Sequence, residues 1–420
     1  MPCRLRCVPL AAAVCAIALA SAPAHCGEAI TLDQAIGRAL EVAPMLANAA
    51  ANSDLNRARI DEARAPLYPN ISGAGDYLQA PGYDRTITNG GQTLGQLVLE
   101  YTAFDGGRRN DQVRAARYAA EAATLGVAAV RAQIVFDTTV AYFDLLRTRD
   151  QQWTLDANLG RLTGYVKIVE ALERSGRAIP NDLLRIRSAR DTTELALANA
   201  DQAADHASIV LASLIGADDT NDLQVAPVDD LPAPPSAALD QSPAYKAADR
   251  QVRAAQMQVA AAHDERYPTV KFGATAGWLG IDPQKTFGHH LGASYDTALA
   301  LPLFQGGLVR SHIDEALASQ HVAEAQKKQI ELQLTRDLAD ADDRYANARR
   351  QLDLLAQSQT TADDSFALDW TRFLGGGSVT LLEVLDAYQQ AQALRLARFD
   401  QQFAAHQAAA QAALVLGIAR

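Results

Sequence analysis

The sequence predicts a mainly α-helical protein built as two copies of one unit, with long heptad-repeat helices interrupted in each copy by a pair of β-strands. Three observations lead there. The stretch "TAFDGG", Thr102 to Gly107, returns as "PLFQGG", Pro302 to Gly307. The hydrophobic period switches from helical to two and back again, once in each half. The composition is rich in alanine, with only 6% aromatic residues in a chain of 420, which suits long helices packed closely through small side chains.

The first residues stand apart from this pattern. Arg4 and Arg6 precede an apolar run from Val8 to Ala20 that ends near Ala22-Pro23-Ala24, the layout of a secretory signal peptide over residues 1–24. The run falls short of the roughly 20 residues that a membrane-crossing helix needs, and no later stretch is expected to supply a helical anchor. Cys3, Cys7, Cys15 and Cys26 all lie in or beside it, so the exported chain is expected to hold at most one thiol and no internal disulfide.

The rest falls into two aligned copies, 25–216 and 243–420. "ALEVAPML" at Ala39 matches "ALDQSPAY" at Ala238, and the Tyr68-Pro69 pair matches Tyr267-Pro268, both at an offset of 199. Phe104 and Gly107 match Phe304 and Gly307 at 200; Gly176, Asp182, Leu184 and Gly216 match Gly377, Glu383, Leu385 and Gly417 at 201. So small a drift marks a duplicated unit.

In copy one, Thr31-Leu-Asp-Gln34 reads as a capping box that opens a helix running to about Ala65. Two strands follow, near 70–104. In copy two, Val270, Phe272, Ala274, Ala276 and Trp278 alternate with small or polar residues, and Leu291 through Leu303 form a second alternating set, so strands are expected near 269–304. Beyond each Gly-Gly the heptad returns. Val113, Ala116, Ala120, Ala123, Val127, Val130 and Ile134 form one seam; Leu334, Leu338, Ala341, Tyr345, Ala348, Leu352 and Leu355 form the other. Long helices are expected over 105–174 and 306–372, with returning helices over 180–215 and 380–417. Each copy therefore reads as one continuous helix beside one broken helix. The Pro- and Asp-rich stretch 217–242 connects the copies.

Four strands cannot close into a barrel. With one face of each strand apolar, lipid on that face makes closure compulsory, because unpaired backbone groups are not tolerated in hydrocarbon. Several chains must then pool their strands, and three would give twelve, within the range of outer-membrane barrels. Val270, Phe272, Leu299 and Leu301 are expected to face lipid, with Lys271 and Thr275 on the lumen side.

The ordered duplication of the Tyr-Pro strand starts, the Phe-x-Gly-Gly strand ends and the Gly…Asp/Glu-x-Leu turns resembles the TolC-like outer-membrane efflux proteins of Gram-negative bacteria, from about Ile30 to Gly417. The resemblance implies a homotrimer: a twelve-stranded barrel in outer-membrane lipid, continued by an α-helical tunnel into the periplasm. It also implies two partners, a periplasmic adaptor protein and an inner-membrane transporter. The function expected is the passive exit duct of a tripartite efflux system for drugs, other small molecules or metal ions. The outer-membrane duct of a type I protein secretion system is the alternative. A non-channel coiled-coil surface protein would leave the paired strands unexplained.

The same resemblance assigns site residues. Glu383 and Asp386, in "GSVTLLEVLDA", match acids that ring the periplasmic constriction, although Leu374 and Val379 stand where the family's gate uses an aromatic and a basic residue. Thr380-Leu-Leu-Glu383 is also a capping box, which gives Glu383 a second reading as a helix cap. The adaptor-contact turns are Gly176, Asp182 and Leu184 in copy one and Gly377 and Leu385 in copy two. Phe104, Gly106, Gly107, Phe304, Gly306 and Gly307 mark the strand-to-helix turns. His289-His290 is read as an external loop. No nucleophile motif, metal-ligand spacing or phosphate-cradling loop is present, so neither enzyme activity nor a cofactor is expected. The net charge of −11 argues against nucleic acid.

Overall fold

The computed structural model describes residues 29–78, 92–218, 223–228, 230–280 and 291–418. In chain order these form α1 (Leu32–Val42), α2 (Pro44–Arg64), β1 (Asn70–Leu78), β2 (Gln92–Phe104), α3 (Arg108–Arg174), α4 (Pro180–Ile215), α5 (Pro243–Asp264), β3 (Thr269–Gly280), β4 (Leu291–Ala300), α6 (Leu308–Leu374) and α7 (Leu381–Leu416). The signal segment and the His289-His290 pair lie outside the described residues.

The first helix is shorter than its apolar spacing suggests. Thr31 caps α1 as expected, its hydroxyl accepting from the Gln34 N–H at 3.3 Å while the Gln34 side chain accepts from the Thr31 N–H at 3.0 Å. At Ala43 the backbone turns extended, with ψ 113°, because the Pro44 ring excludes a helical residue before it. A new helix, α2, starts at the proline.

Helices α3 and α6 each hold 67 residues, about 100 Å at 1.5 Å per residue. One 18-residue window of α3 reaches a mean hydropathy of 1.3, enough in length and composition to cross a membrane, where the sequence led us to expect no such stretch. Only 22% of that window is buried within the chain. α3 packs on α2 and α4 along one side and on α5 and α7 along the other. Beyond α5 and α7 lies α6, which gives the order α2/α4, α3, α5/α7, α6. The broken helices meet end to end. A β-carbon on Gly216, at the end of α4, would stand 3.2 Å from Val42, and one on Gly417, at the end of α7, would overlap the Pro243 ring that opens α5.

At mid-height the chain wraps its own waist. Ile30 bridges Val225 in parallel, and the buried Tyr142 of α3 places its hydroxyl 2.7 Å from the Ala226 carbonyl and 3.0 Å from that of Ile30. This ties the segment just before α1 and the inter-copy connector to α3, over a core that includes Ala39, Leu145 and Leu211.

The strands form one antiparallel sheet in the order β1-β2-β3-β4. The two hairpins share a register: Asn70 opposes Glu100 in the first, and Thr269 opposes Ala300 in the second. β4 ends at Ala300, so Leu301, Leu303 and Phe304 lie beyond the ladder although their alternation reads as strand. β2, by contrast, runs on to Phe104 because β3 pairs with it out to Val270. Residues 301–304 have no such neighbour, since β4 is an edge.

Candidate functional site

Three features stand out along the molecule's length, the first being the two faces of the sheet. The cross-strand register puts Ile71, Tyr77, Leu97, Leu99, Tyr101, Val270, Phe272, Trp278, Tyr295 and Leu299 on one face. The other face carries Asn70, Ser72, Asp76, Gln96, Glu100, Thr102, Lys271, Thr275, Ser294 and Asp296, which include every charged residue of the four described strands. No charge sits on the first face. Because side chains alternate along every strand, this sorting requires all four strands to agree in phase.

The second feature is the turn from strand to helix. Gly106 and Gly107 take φ of 74° and 108°, and Gly306 and Gly307 take 60° and 90°, a region that side chains with a β-carbon avoid. In copy one the turn is braced. Asp105 accepts from the Arg109 backbone N–H at 3.1 Å and from its Nε at 2.8 Å, while Arg109 Nη1 donates to the Pro66 carbonyl at 2.6 Å. Tyr267 covers Gly106 so closely that a β-carbon there would stand 2.6 Å from the ring. Burial, together with the nearby Asp105 carboxylate, raises Asp264 above the usual carboxylate range. Around Gly306 and Gly307 there is open space.

The third is the far tip, where α3 turns into α4 and α6 into α7. Leu162, Val166 and Val169 of α3 pack with Ile186, Leu381 and Tyr388, flanked by Tyr165, Phe366 and Trp370. The Tyr165 and Trp370 rings lie 4.3 Å apart. Burial pushes the Tyr388 phenol up to about 12. Arg177 Nη2 donates to the Leu374 carbonyl at 2.6 Å and joins the two turns. The aromatic partners, Tyr165 against Phe366 and Trp370, sit some two hundred residues apart, so no local pattern announces the packing. The excess of aromatics within "SFALDWTRF" was the one available signal.

The assigned tip residues divide. Glu383 is held by the cap: its Oε2 accepts from the Thr380 N–H at 2.7 Å and from the Thr380 hydroxyl at 3.1 Å, and these bonds lower its pKa. Asp386 is exposed, one turn further along α7. Asp182 is the equivalent of Glu383 and accepts from the Ile179 N–H at 3.2 Å. Leu184 is 64% exposed, whereas Leu385 is 8% exposed and packs within the tip core. The match of Gly176 with Gly377 also shifts. The left-handed residues are Gly176, φ 71°, and Gly376, φ 76°, and the second turn holds one extra residue. Among the described residues no group of three or more His, Cys, Asp or Glu could hold a metal.

A model of the family described as "Outer membrane efflux protein" matches residues 35–217 and again 235–417, which together are most of the chain. The chain belongs to that family. The two matched blocks are its two copies, so this efflux channel is a duplicated member with its strands in the outer membrane. It is 28% identical over 396 residues to the pyoverdine export outer membrane protein OpmQ of Pseudomonas aeruginosa, covering 87% of this chain and 82% of that one. It is 26% identical over 395 residues to outer membrane protein TolC of Escherichia coli, covering 85% and 77%. In fold it is similar to the outer membrane protein VceC of Vibrio cholerae, with a TM-score of 0.84 at 22% identity, over 92% of this chain and 96% of that one.

Proposed function

We propose that three copies of this efflux channel close into one twelve-stranded barrel above a helical tunnel, forming the passive outer-membrane duct of a tripartite pump. The observation that carries this is the two-faced, open four-stranded sheet. Its apolar face demands lipid, its polar face demands water, and its edges β1 and β4 must be paired before either can be met. The tunnel tip then receives small molecules from a periplasmic adaptor and an inner-membrane transporter. Resemblance to a pyoverdine export protein supports small-molecule cargo. At the tip Asp386, with Glu383 behind it on the same helix, lines the mouth, while Gly176, Asp182 and Leu184 on the copy-one turn and Gly377 on the copy-two turn meet the adaptor.

Detergent-solubilised channel should have a mass three times that of the mature chain and conduct ions in a planar bilayer. A stable, folded monomer without conductance would overturn the proposal.

A further inference from the structure

At the waist, below the connector, α3 and α7 leave a space between them. It is a cavity of about 340 Å³, bordered by Pro227, Val228 and Leu231 of the connector, and its size falls in the range of small-molecule sites. Aromatic rings make up much of its wall. Phe143 comes from α3, Phe399 and Phe403 come from α7, and His406 lies flat on Phe143 with centroids 3.8 Å apart. Burial holds the imidazole well below its ordinary pKa, at about 4, so at neutral pH it is one more uncharged ring.

We propose that this waist cavity binds an organic cation, a lipophilic ammonium whose charge meets Asp150 and whose apolar body lies against Phe399 and Phe403. Three observations support that chemistry. The first is an acid without a counter-ion: Asp150 lines the cavity and has no hydrogen bond or ion pair among the described residues. Desolvation raises its pKa above the usual carboxylate range, and a bound cation would relieve that cost. The second is the balance of charge. Asp144, Asp150, Asp230 and Asp400 outnumber Arg147 and Arg398, and Arg147 is already shared, its Nη2 donating to Asp144 Oδ1 at 2.7 Å and its Nη1 to Asp400 Oδ1 at 3.1 Å. The surroundings are therefore net negative.

The third is that these rings already hold a cation. The Arg147 guanidinium carbon stands 5.3 Å from the centroid of the Phe403 ring, a cation–π distance. Ring faces are negative, so they favour an ammonium and disfavour a carboxylate. An anionic ligand would find Arg398, which is exposed, but would also meet Asp150 and Asp400. A neutral ligand would bury Asp150 further and leave it unpaired. All of these groups belong to one chain, so the site stands apart from how the chains assemble. Its walls come from both copies, α3 from the first and α7 from the second, and an occupant would fasten one to the other.

The test is calorimetric titration of the full, detergent-solubilised channel with benzyltrimethylammonium, alongside phenylacetate as an anion of similar size and benzyl alcohol as a neutral one. The ammonium should bind once per chain and raise the thermal midpoint, and the other two should do neither. Asp150→Asn should weaken its binding about tenfold by removing the charge contact. Phe399→Leu keeps the bulk, removes the ring and should weaken it several-fold, which also serves should Asp150→Asn fail to fold. Arg398→Gln should leave the affinity unchanged or higher. No ammonium binding, or binding that both cavity variants leave intact while Asp386→Ala abolishes it, would put the cation elsewhere and overturn the proposal. Phenylacetate binding that Arg398→Gln removes would make this an anion site and overturn it equally.

Discussion

The imidazole of His406 lies flat on the ring of Phe143, with centroids 3.8 Å apart and planes 12° from parallel. It joins α7 to α3 at the waist, and its Nδ1 is buried with no partner among the described residues.

Burial lowers the His406 pKa to about 4, with Asp230 pulling weakly the other way. Its pKa in the unfolded chain is about 6.5, so the unfolded state binds the extra proton first. The resulting stability is whole above about pH 6.5 and is lost as pH falls toward 4, on the order of 3 kcal/mol per chain at most. The thermal midpoint of the channel should therefore drop between pH 7 and pH 5. His406→Leu should flatten that slope, and an unchanged slope would place the sensitive group elsewhere.

Gly176 and Gly417 have nearly the same φ, 71° and 69°, but different room. Alanine at either costs about 1–2 kcal/mol in backbone strain. Only at Gly417 would the added carbon overlap Pro243, where the broken helix of copy two is joined. Gly417→Ala should cost a further 1–3 kcal/mol, roughly, by overpacking. Denaturation of the two variants in detergent measures the difference, and equal losses would mean that the joint yields freely.

Charge on the two faces of the sheet should be tolerated unequally. Phe272 lies on the charge-free face and Thr275 on the face that holds Lys271 and Asp296. An arginine facing mid-membrane lipid costs about 2–4 kcal/mol, and one facing a water-filled lumen far less. Phe272→Arg should lower the folded, membrane-extracted yield well below that of Thr275→Arg. Equal yields would remove lipid from the apolar face.

At the mouth, threefold repetition of Asp386 and Glu383 would make a cation-selective constriction. Glu383 forms the capping bonds to Thr380 that its sequence suggests, and they lower its pKa below the ordinary glutamate range. Selectivity should thus persist down to about pH 4.5 and fade only beneath it, and the helix start should loosen over the same window as the cap is protonated. Reversal potentials for wild type against Asp386→Ala and Glu383→Ala decide the matter. If neither variant shifts them, the acids are caps and surface charges only.

Much of the helical frame was legible because 3.5-residue periodicity and the paired glycines are local signals. The break at Ala43–Pro44 was missed, since apolar spacing carried through a proline that the backbone does not carry through. The end of β4 was misread for a different reason: alternation at Leu301 and Leu303 records where a strand is wanted, but a strand needs a neighbour, and this chain does not contain it. At the tip, Leu385 is covered where Leu184 is bare because α7 is packed by both α3 and α6, whereas α4 rests chiefly on α3, and one copy's sequence does not report that difference. His406 left no motif at all, as its partner Phe143 comes from the other copy.

Where α7 carries Asp386, the corresponding residue of α4 is Arg185, and where Leu385 is sealed inside, Leu184 is bare. Six identical short chains could build a ring of the same geometry, but every substitution would then appear six times. Fusion of two units into one gene gives each tip its own evolutionary history. One set of tips can acquire the chemistry of a passage while the alternate set acquires that of a handhold, and neither constrains the other.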